Sequence, residues 1–382
     1  MRTKPKVSQI GLDVHRKFSI AAARDAEHKV VWRERLQHVN RTQLKEVLTS
    51  WRQGTPVILE GTFGWGWMSD ELLAAGLDPH LASSRKVAGW RDARGLAKSN
   101  KIDADLLSEL WDQKPRWWEV WLVPQEVRDQ RELLRHRMSL VRMQTGLKNR
   151  IHALLHRHGI VNEFSDLFGV AGRRFLSLLV NDPRLRATTQ KVLKDQLTLL
   201  DALRRSIARA TRQFRLTVRQ SAPAKRLISL PGVSTVLAYT IVAEVGRIER
   251  FKDARHLLSY SLLAPRADDS GEAREGAPIG RKIGHCGRTT LQWAWIEAAH
   301  AAVRRDPRLR AIFDRRTDHG KKDRGRGYIT VANQMCKIAY SMWKNDNDYQ
   351  EAPPPRPGSK NADSSRPGTG QLCHPIAACA LT

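Results

Sequence analysis

The sequence predicts an α/β domain followed by a mainly helical remainder, and three observations carry that expectation. Between Val7 and Leu36 lie three strand-like runs, near residues 7–14, 17–24 and 29–36, with Asp25 to His28 as the turn between the last two. From there to Trp111 helix-like and strand-like stretches alternate, and beyond Gln125 only helical periodicity remains.

The first strand, VSQIGLDV, organises the rest, because its apolar positions and a glycine lead up to one carboxylate, Asp13, at the end of a core strand. A helix is expected over Arg41–Trp51, then a strand over Pro56–Glu60 that again ends in an acid. A helix from Trp65 to Ala75, a short strand around His80 to Ala82 and one long helical region from Val87 to Trp111 complete the domain. Three hairpin strands followed by alternating helix and strand is the order of a ribonuclease-H-like mixed sheet.

Leu133, Leu140, Leu147 and Leu154 recur every seven residues, as do Leu193, Leu200, Ile207 and Phe214. That spacing predicts a coiled-coil-like antiparallel hairpin with a break near Asn181-Asp-Pro183. Arg128, Arg131, Arg135, Arg137, Arg142, Lys148 and Arg150 would form a basic face on it, either simply solvated or used for dimerisation or nucleic acid. The expected organisation is therefore 1–124 for the sheet domain, 125–223 for the hairpin, 224–349 for a helical domain and 350–382 for a disordered tail rich in proline, glycine and serine.

Charge narrows the partner. With 66 Lys+Arg against 39 Asp+Glu the excess is 66 − 39 = +27, which favours a polyanion, by default nucleic acid. The N-terminus lacks the apolar stretch of a signal peptide and no run suits a membrane span, so a cytoplasmic, nucleoid-associated protein is expected. Cys286, Cys336, Cys373 and Cys379 show no paired spacing for structural zinc or a disulfide framework.

Asp13 and Glu60 at strand ends, with the acids of Lys98-Ser-Asn-Lys-Ile-Asp-Ala-Asp105, are a donor set suited to Mg²⁺, although scattered acids in a sheet domain are more often surface or capping residues. Leu230-Pro-Gly-Val233 before a small-residue helix reads as a helix-hairpin-helix turn in which Gly232 lets backbone approach a phosphate, or as an ordinary helix start. The loop DDSGEAREG contains Ser270 followed by Gly271, a pair that by itself is most often a turn. Arg274, Arg281, Lys282, His285 and Arg288 follow it and are placed to contact a phosphate; the run from Arg304 to Arg326 adds ten Lys/Arg against four Asp, 10 − 4 = +6. Four of the 12 Trp fall within Trp111 to Trp121 and are expected to be mostly buried.

Taken together, IGLDVH, ILEGT, KSNKIDADLL, LPGVSTVLAYTIVAEVG and the Ser270-Gly271 segment resemble the DEDD-type insertion-sequence transposases, the group that includes the Piv-like DNA invertases and the bridge-RNA-guided recombinases. The resemblance implies a RuvC-like domain whose four acids bind Mg²⁺ and a transposase domain that supplies a catalytic serine. By position these are Asp13, Glu60, Asn100 and Asp103, with asparagine in the third acid's place, and Ser270 as nucleophile. On a helix Asp105 points about 200° from Asp103 whereas Asn100 lies about 60° from it, so Asn100 rather than Asp105 shares its face. The resemblance further implies DNA cleavage and rejoining through a covalent 5′-phosphoserine, a homo-oligomer (dimer or tetramer) and an element-encoded bridge RNA. Two rival readings are a Mg²⁺-dependent hydrolytic nuclease for branched DNA and a decayed copy that only binds nucleic acid.

Overall fold

The computed structural model describes residues 7–264 and 289–350, which fall into two units, one running to Gln125 and the other starting at Glu126. The first unit is built on six strands, β1 (Gln9–Val14), β2 (Phe18–Arg24), β3 (Val30–Gln37), β4 (Pro56–Glu60), β5 (Asp78–Ala82) and β6 (Glu119–Val120), in the order β3-β2-β1-β4-β5-β6. β1, β2 and β3 pair antiparallel, β1–β4 and β4–β5 parallel, and β6 returns antiparallel, a mixed sheet compatible with a ribonuclease-H-like domain.

Alternation along the strands decides what covers each face. Ile10, Leu12 and Val14 of β1 with Val57 and Leu59 of β4 form one core with Leu44 and Leu48 of α1 (Arg41–Thr49) and Met68 and Leu72 of α2 (Trp65–Ala74). Ile58 and Ala82 point the other way, to Val87 of α3 (Ser84–Ala93), Leu107 and Leu110 of α4 (Asn100–Leu110), and Trp118 of α5 (Pro115–Trp118). Asp13 and Glu60 have the parity of that second face. Trp118 is fully buried and Trp117 and Trp121 half-buried, whereas Trp111 keeps 37% exposure beside His80.

The single helix expected from Val87 to Trp111 is two. α3 ends at Arg94, Gly95 takes a left-handed φ of +62°, and α4 restarts where Ser99 Oγ accepts the Ile102 N–H at 3.2 Å.

The second unit comprises α6 (Gln125–Arg157), α7 (Val170–Leu179), α8 (Ala187–Gln220), α9 (Ala222–Ser229), α10 (Thr235–Val245), a 3-10 turn at Ile248–Arg250, α11 (Ala254–Tyr260), α12 (Thr289–Ala302), α13 (Pro307–Thr317) and α14 (Arg324–Lys344). α6 and α8 run antiparallel, with Leu147, Ile151 and Leu154 against Leu193, Leu197 and Leu200 at one end, closed by Leu176 and Leu179 of α7. At the other end Leu134, Phe214 and Val218 belong to the same core as α9 to α14. Leu133, Leu140 and Ile207 of the sevenfold series are only half-buried, because a straight helix of 3.6 residues per turn drifts off a seven-residue seam and brings Leu134 inward instead of Leu133.

The basic residues of α6 do not share one solvated face. Arg131 is buried and donates to the Ala243 and Glu244 carbonyls (2.9 and 2.8 Å), satisfying the C-terminal end of α10. Among the described residues no helix is long and apolar enough to cross a membrane.

Candidate active site

In the parallel pair, Leu12 lies opposite Leu59, so the next residues, Asp13 and Glu60, leave neighbouring strands at the same level. Parallel strands are separated by about 4.8 Å, which sets two carboxylates side by side at the carboxyl ends of β1 and β4. The third acid comes from above, on α4. α4 approaches closely because β1 carries glycine at position 11: a Cβ there would stand 2.2 Å from the Ala104 carbonyl oxygen and 2.3 Å from the Ser108 nitrogen. Gly11 thus permits the contact that holds Asp103, one residue before Ala104, over the strand ends.

Polar tethers fix the helix in that place. Arg24 of β2 donates from Nε to Ser108 Oγ (2.8 Å) and from Nη2 to Glu109 Oε1 (2.7 Å), while Gln9 Nε2 reaches Asp112 Oδ1 at 2.9 Å. Arg33 of β3 makes a bidentate pair with Asp105 at 2.8 and 2.7 Å, so Asp105 faces away from the acidic group, in agreement with its helical angle. Gly11, Arg24 and Arg33 position the site, and none of the three was singled out from the sequence. A glycine in an otherwise apolar strand was the available signal for a close approach.

The electrostatics follow from this crowding. Burial, with smaller contributions from Asp103 and Glu60, pushes the Asp13 carboxyl up to about 6, against an opposing pull from His15. His15 Nε2 stands 3.0 Å from Asp13 Oδ2, yet neither atom has hydrogen-bond geometry, so the contact is electrostatic and both atoms lie buried without a hydrogen bond. Glu60 is also raised, first by burial and then by Asp103, while a hydrogen bond from Ser84 and the cations Arg91 and Lys98 act against the rise. Arg91 Nη1 contacts Asp103 Oδ1 at 3.3 Å. Asn100, the first residue of α4, is exposed one turn before buried Asp103.

Asp13, Glu60 and Asp103 are therefore brought to one edge, close enough to perturb one another, with Asn100 on the adjoining turn. Among the described residues no three His, Cys, Asp or Glu side chains are grouped tightly enough to hold a metal ion together. Ser270, Arg274, Arg281, Lys282, His285 and Arg288 lie outside the described residues.

Two family models match this chain. One, the DEDD transposase model of the IS110 group, covers residues 10–160, and the other, described as the transposase IS116/IS110/IS902 family, covers residues 224–314. The chain belongs to the IS110/IS116/IS902 transposases. It is 23% identical over 363 residues to the transposase for insertion sequence element IS1111A of Coxiella burnetii, spanning 91% of this chain and 93% of the relative. It is 24% identical over 357 residues to a Pseudomonas aeruginosa protein named "Probable family 20 transposase", spanning 90% of this chain and 99% of the relative. A transposase for element IS1328 of Yersinia enterocolitica is 23% identical over 75% of this chain and 85% of its own length.

A transposase of this family is an enzyme of phosphoryl transfer on DNA, and DEDD transposases typically use a divalent metal. The residues at the strand ends fit such an ion by the chemistry of their donors: oxygen ligands only, like charges that raise one another, and a buried Asp13 oxygen without a hydrogen bond. Asp13, Glu60 and Asp103 would hold it, with the Asn100 amide oxygen as a neutral fourth donor.

For the transposase's nucleic-acid surface, two features stand apart. Gly232, in the turn between α9 and α10, has φ +87°, and a Cβ on it would lie 2.3 Å from the Ala298 carbonyl oxygen of α12, so packing alone requires glycine there. In the stretch from Arg304 to Arg326 each aspartate is used locally. Asp306 and Asp323 cap α13 and α14, Asp314 pairs with Arg310, and Asp318 with Lys322. Arg304, Arg305, Arg308, Arg315, Arg316, Lys321 and Arg324 have no ion-pair partner among the described residues.

Proposed function

We propose that this transposase is a site-specific recombinase of its insertion sequence, with a RuvC-like sheet domain, that cuts and rejoins DNA through a covalent 5′-phosphoserine on Ser270. The observation that carries the reading is the register of β1 and β4, which sets Asp13 beside Glu60 under Asp103, in a chain matching both family models. The Ser270 hydroxyl would attack the scissile phosphorus, forming an Oγ–P bond as the 3′-oxygen leaves and takes a proton. A second strand's 3′-hydroxyl then attacks the same phosphorus, rebuilding a phosphodiester and returning the serine, so the bond energy is kept through the exchange. A divalent ion such as Mg²⁺ held at the acidic edge would polarise the phosphoryl oxygens and assist ionisation of the attacking hydroxyl.

The chain's own residues do the rest: the carboxylates orient the phosphate through their shared edge, and the basic residues after Ser270, namely Arg274, Arg281, Lys282 and Arg288, offset charge on it. Gly232 and the turn it forms would bring α10 to a further phosphate, as a helix-hairpin-helix. A net +27 suits an RNA as well as DNA, and an element-encoded bridge RNA is proposed as guide within a homo-oligomer.

The test is a covalent adduct. Full-length protein, Mg²⁺, DNA carrying the element's joined ends and RNA from its flanking non-coding region are mixed, quenched within milliseconds and mapped by mass spectrometry. A nucleotide on the Ser270 peptide is expected, lost in Ser270→Ala and in Asp13→Ala. Cleavage that survives Ser270→Ala with no adduct would replace this reading by the hydrolytic nuclease. Binding without either product, reversed by Asn100→Asp, would mark a decayed copy.

A further inference from the structure

Within the second unit a groove of about 550 Å³ opens between α6, α10 and α12, with Arg137 and Arg142 on one wall and Trp293, Glu297 and Arg305 on the other. Three arginines against one glutamate leave the wall at 3 − 1 = +2. None of the three arginines is ion-paired with a carboxylate among the described residues. Arg137 is held half-buried by donation from Nε to Thr211 Oγ1 of α8 at 2.9 Å, and burial pulls its pKa down, the mark of a cation placed without a counter-charge. Ser234, which caps α10 by accepting the Leu237 N–H, also borders the groove.

Trp293 is the unusual member. It keeps 37% exposure among charged residues while its neighbours Ala294 and Trp295 on α12 are fully buried, so an indole is left at the surface of a cationic cleft. Glu297 lies one turn along the same face. Arginines supply sequence-independent contacts to a phosphodiester, and an exposed indole supplies a stacking surface that a paired base, already stacked on both sides, cannot use. The volume is that of a small-ligand site, large enough for a nucleotide.

We infer that this groove seats an unpaired stretch of the DNA strand, its phosphates on Arg137, Arg142 and Arg305 and one base against Trp293. The choice of DNA rests on the proposed recombination, since strands that are cut and exchanged must leave their duplex partners where they cross.

The inference is tested with full-length protein by fluorescence anisotropy, using a 20-nucleotide single-stranded DNA, the same sequence as duplex DNA and the same sequence as RNA. Trp293→Ala is expected to weaken single-stranded DNA binding by about five- to a hundredfold while changing duplex binding less than twofold, and Trp293→Phe to restore most of the loss. The pair Arg142→Gln with Arg305→Gln, both exposed, is expected to weaken single-strand binding and make its salt dependence shallower by up to about 0.7 per lost phosphate contact. Equal losses for single strand and duplex, or none, overturn the groove; a loss confined to RNA overturns DNA as its occupant. The serine-adduct assay keeps the two readings apart. An adduct in wild type with unchanged single-strand binding in Trp293→Ala refutes only the groove, whereas the expected binding loss without any adduct refutes only the covalent chemistry.

Discussion

At Gly11 the absence of a single methyl group lets α4 lie against β1, and through that contact a strand residue decides where Asp103 stands. Gly11→Ala is expected to push the helix backbone away, costing about 1–3 kcal/mol by overpacking and reducing transposition more than an equally destabilising change elsewhere. Thermal melts beside a transposition assay check both. Asp13 gives a second prediction with a definite sign. Its carboxyl titrates near 6 in the fold against an ordinary 3.8, so the folded state holds the proton more tightly. The resulting stabilisation is fully present below pH 3.8 and is lost as pH rises through about 6. Without divalent cation, Asp13→Asn is therefore expected to be more stable than wild type by about 1–3 kcal/mol at pH 7.5 and equal to it near pH 3, measured by urea melts. Asp13 and Glu60 were legible because acids closing apolar strands are unusual and local. Gly11, Arg24 and Arg33 were not, because their partners are 70 to 100 residues away and only the packed fold brings them together.

Among the elements, α4 is the one on which the site turns. Its start was missed in the sequence, where Val87 to Trp111 reads as continuous helix, although Gly95 and Ser99 are the stop and start signals. Ser99→Ala removes the cap and is expected to cost about 1 kcal/mol while loosening the turn that carries Asn100 and Asp103; loss of amide protection in hydrogen exchange over residues 100–103 reads this directly. Strands β1 to β4 were legible to within two residues because their apolar runs are short and bounded by turn residues. α7 was hidden in the connection between two longer helices, where its amphipathic stretch carries few signals of its own. The sevenfold leucine series located α6 and α8, but burial follows 3.6 residues per turn, so Leu134 packs and Leu133 does not fully.

Across the whole molecule the excess of +27 was plain from composition, and the structure adds where it goes unpaired. Converting Arg315, Arg316 and Lys321 to glutamine is expected to weaken duplex binding across all sequences and to make the slope of log K against log salt shallower by roughly 2–3, one phosphate contact being worth about 0.9. An unchanged slope would assign those residues to solvent. The central claim is that two strand ends and one helix, joined at Gly11, make a divalent-cation site out of Asp13, Glu60 and Asp103. It is tested most directly by titrating Mn²⁺ into the full-length protein and counting free ion by electron paramagnetic resonance at pH 7.5, in wild type, Asp13→Asn and Asp103→Asn. The account predicts saturable binding in wild type, a loss of at least tenfold in affinity in each variant, and weakening in wild type as pH falls through about 6. Mn²⁺ affinity unchanged in both variants would contradict it.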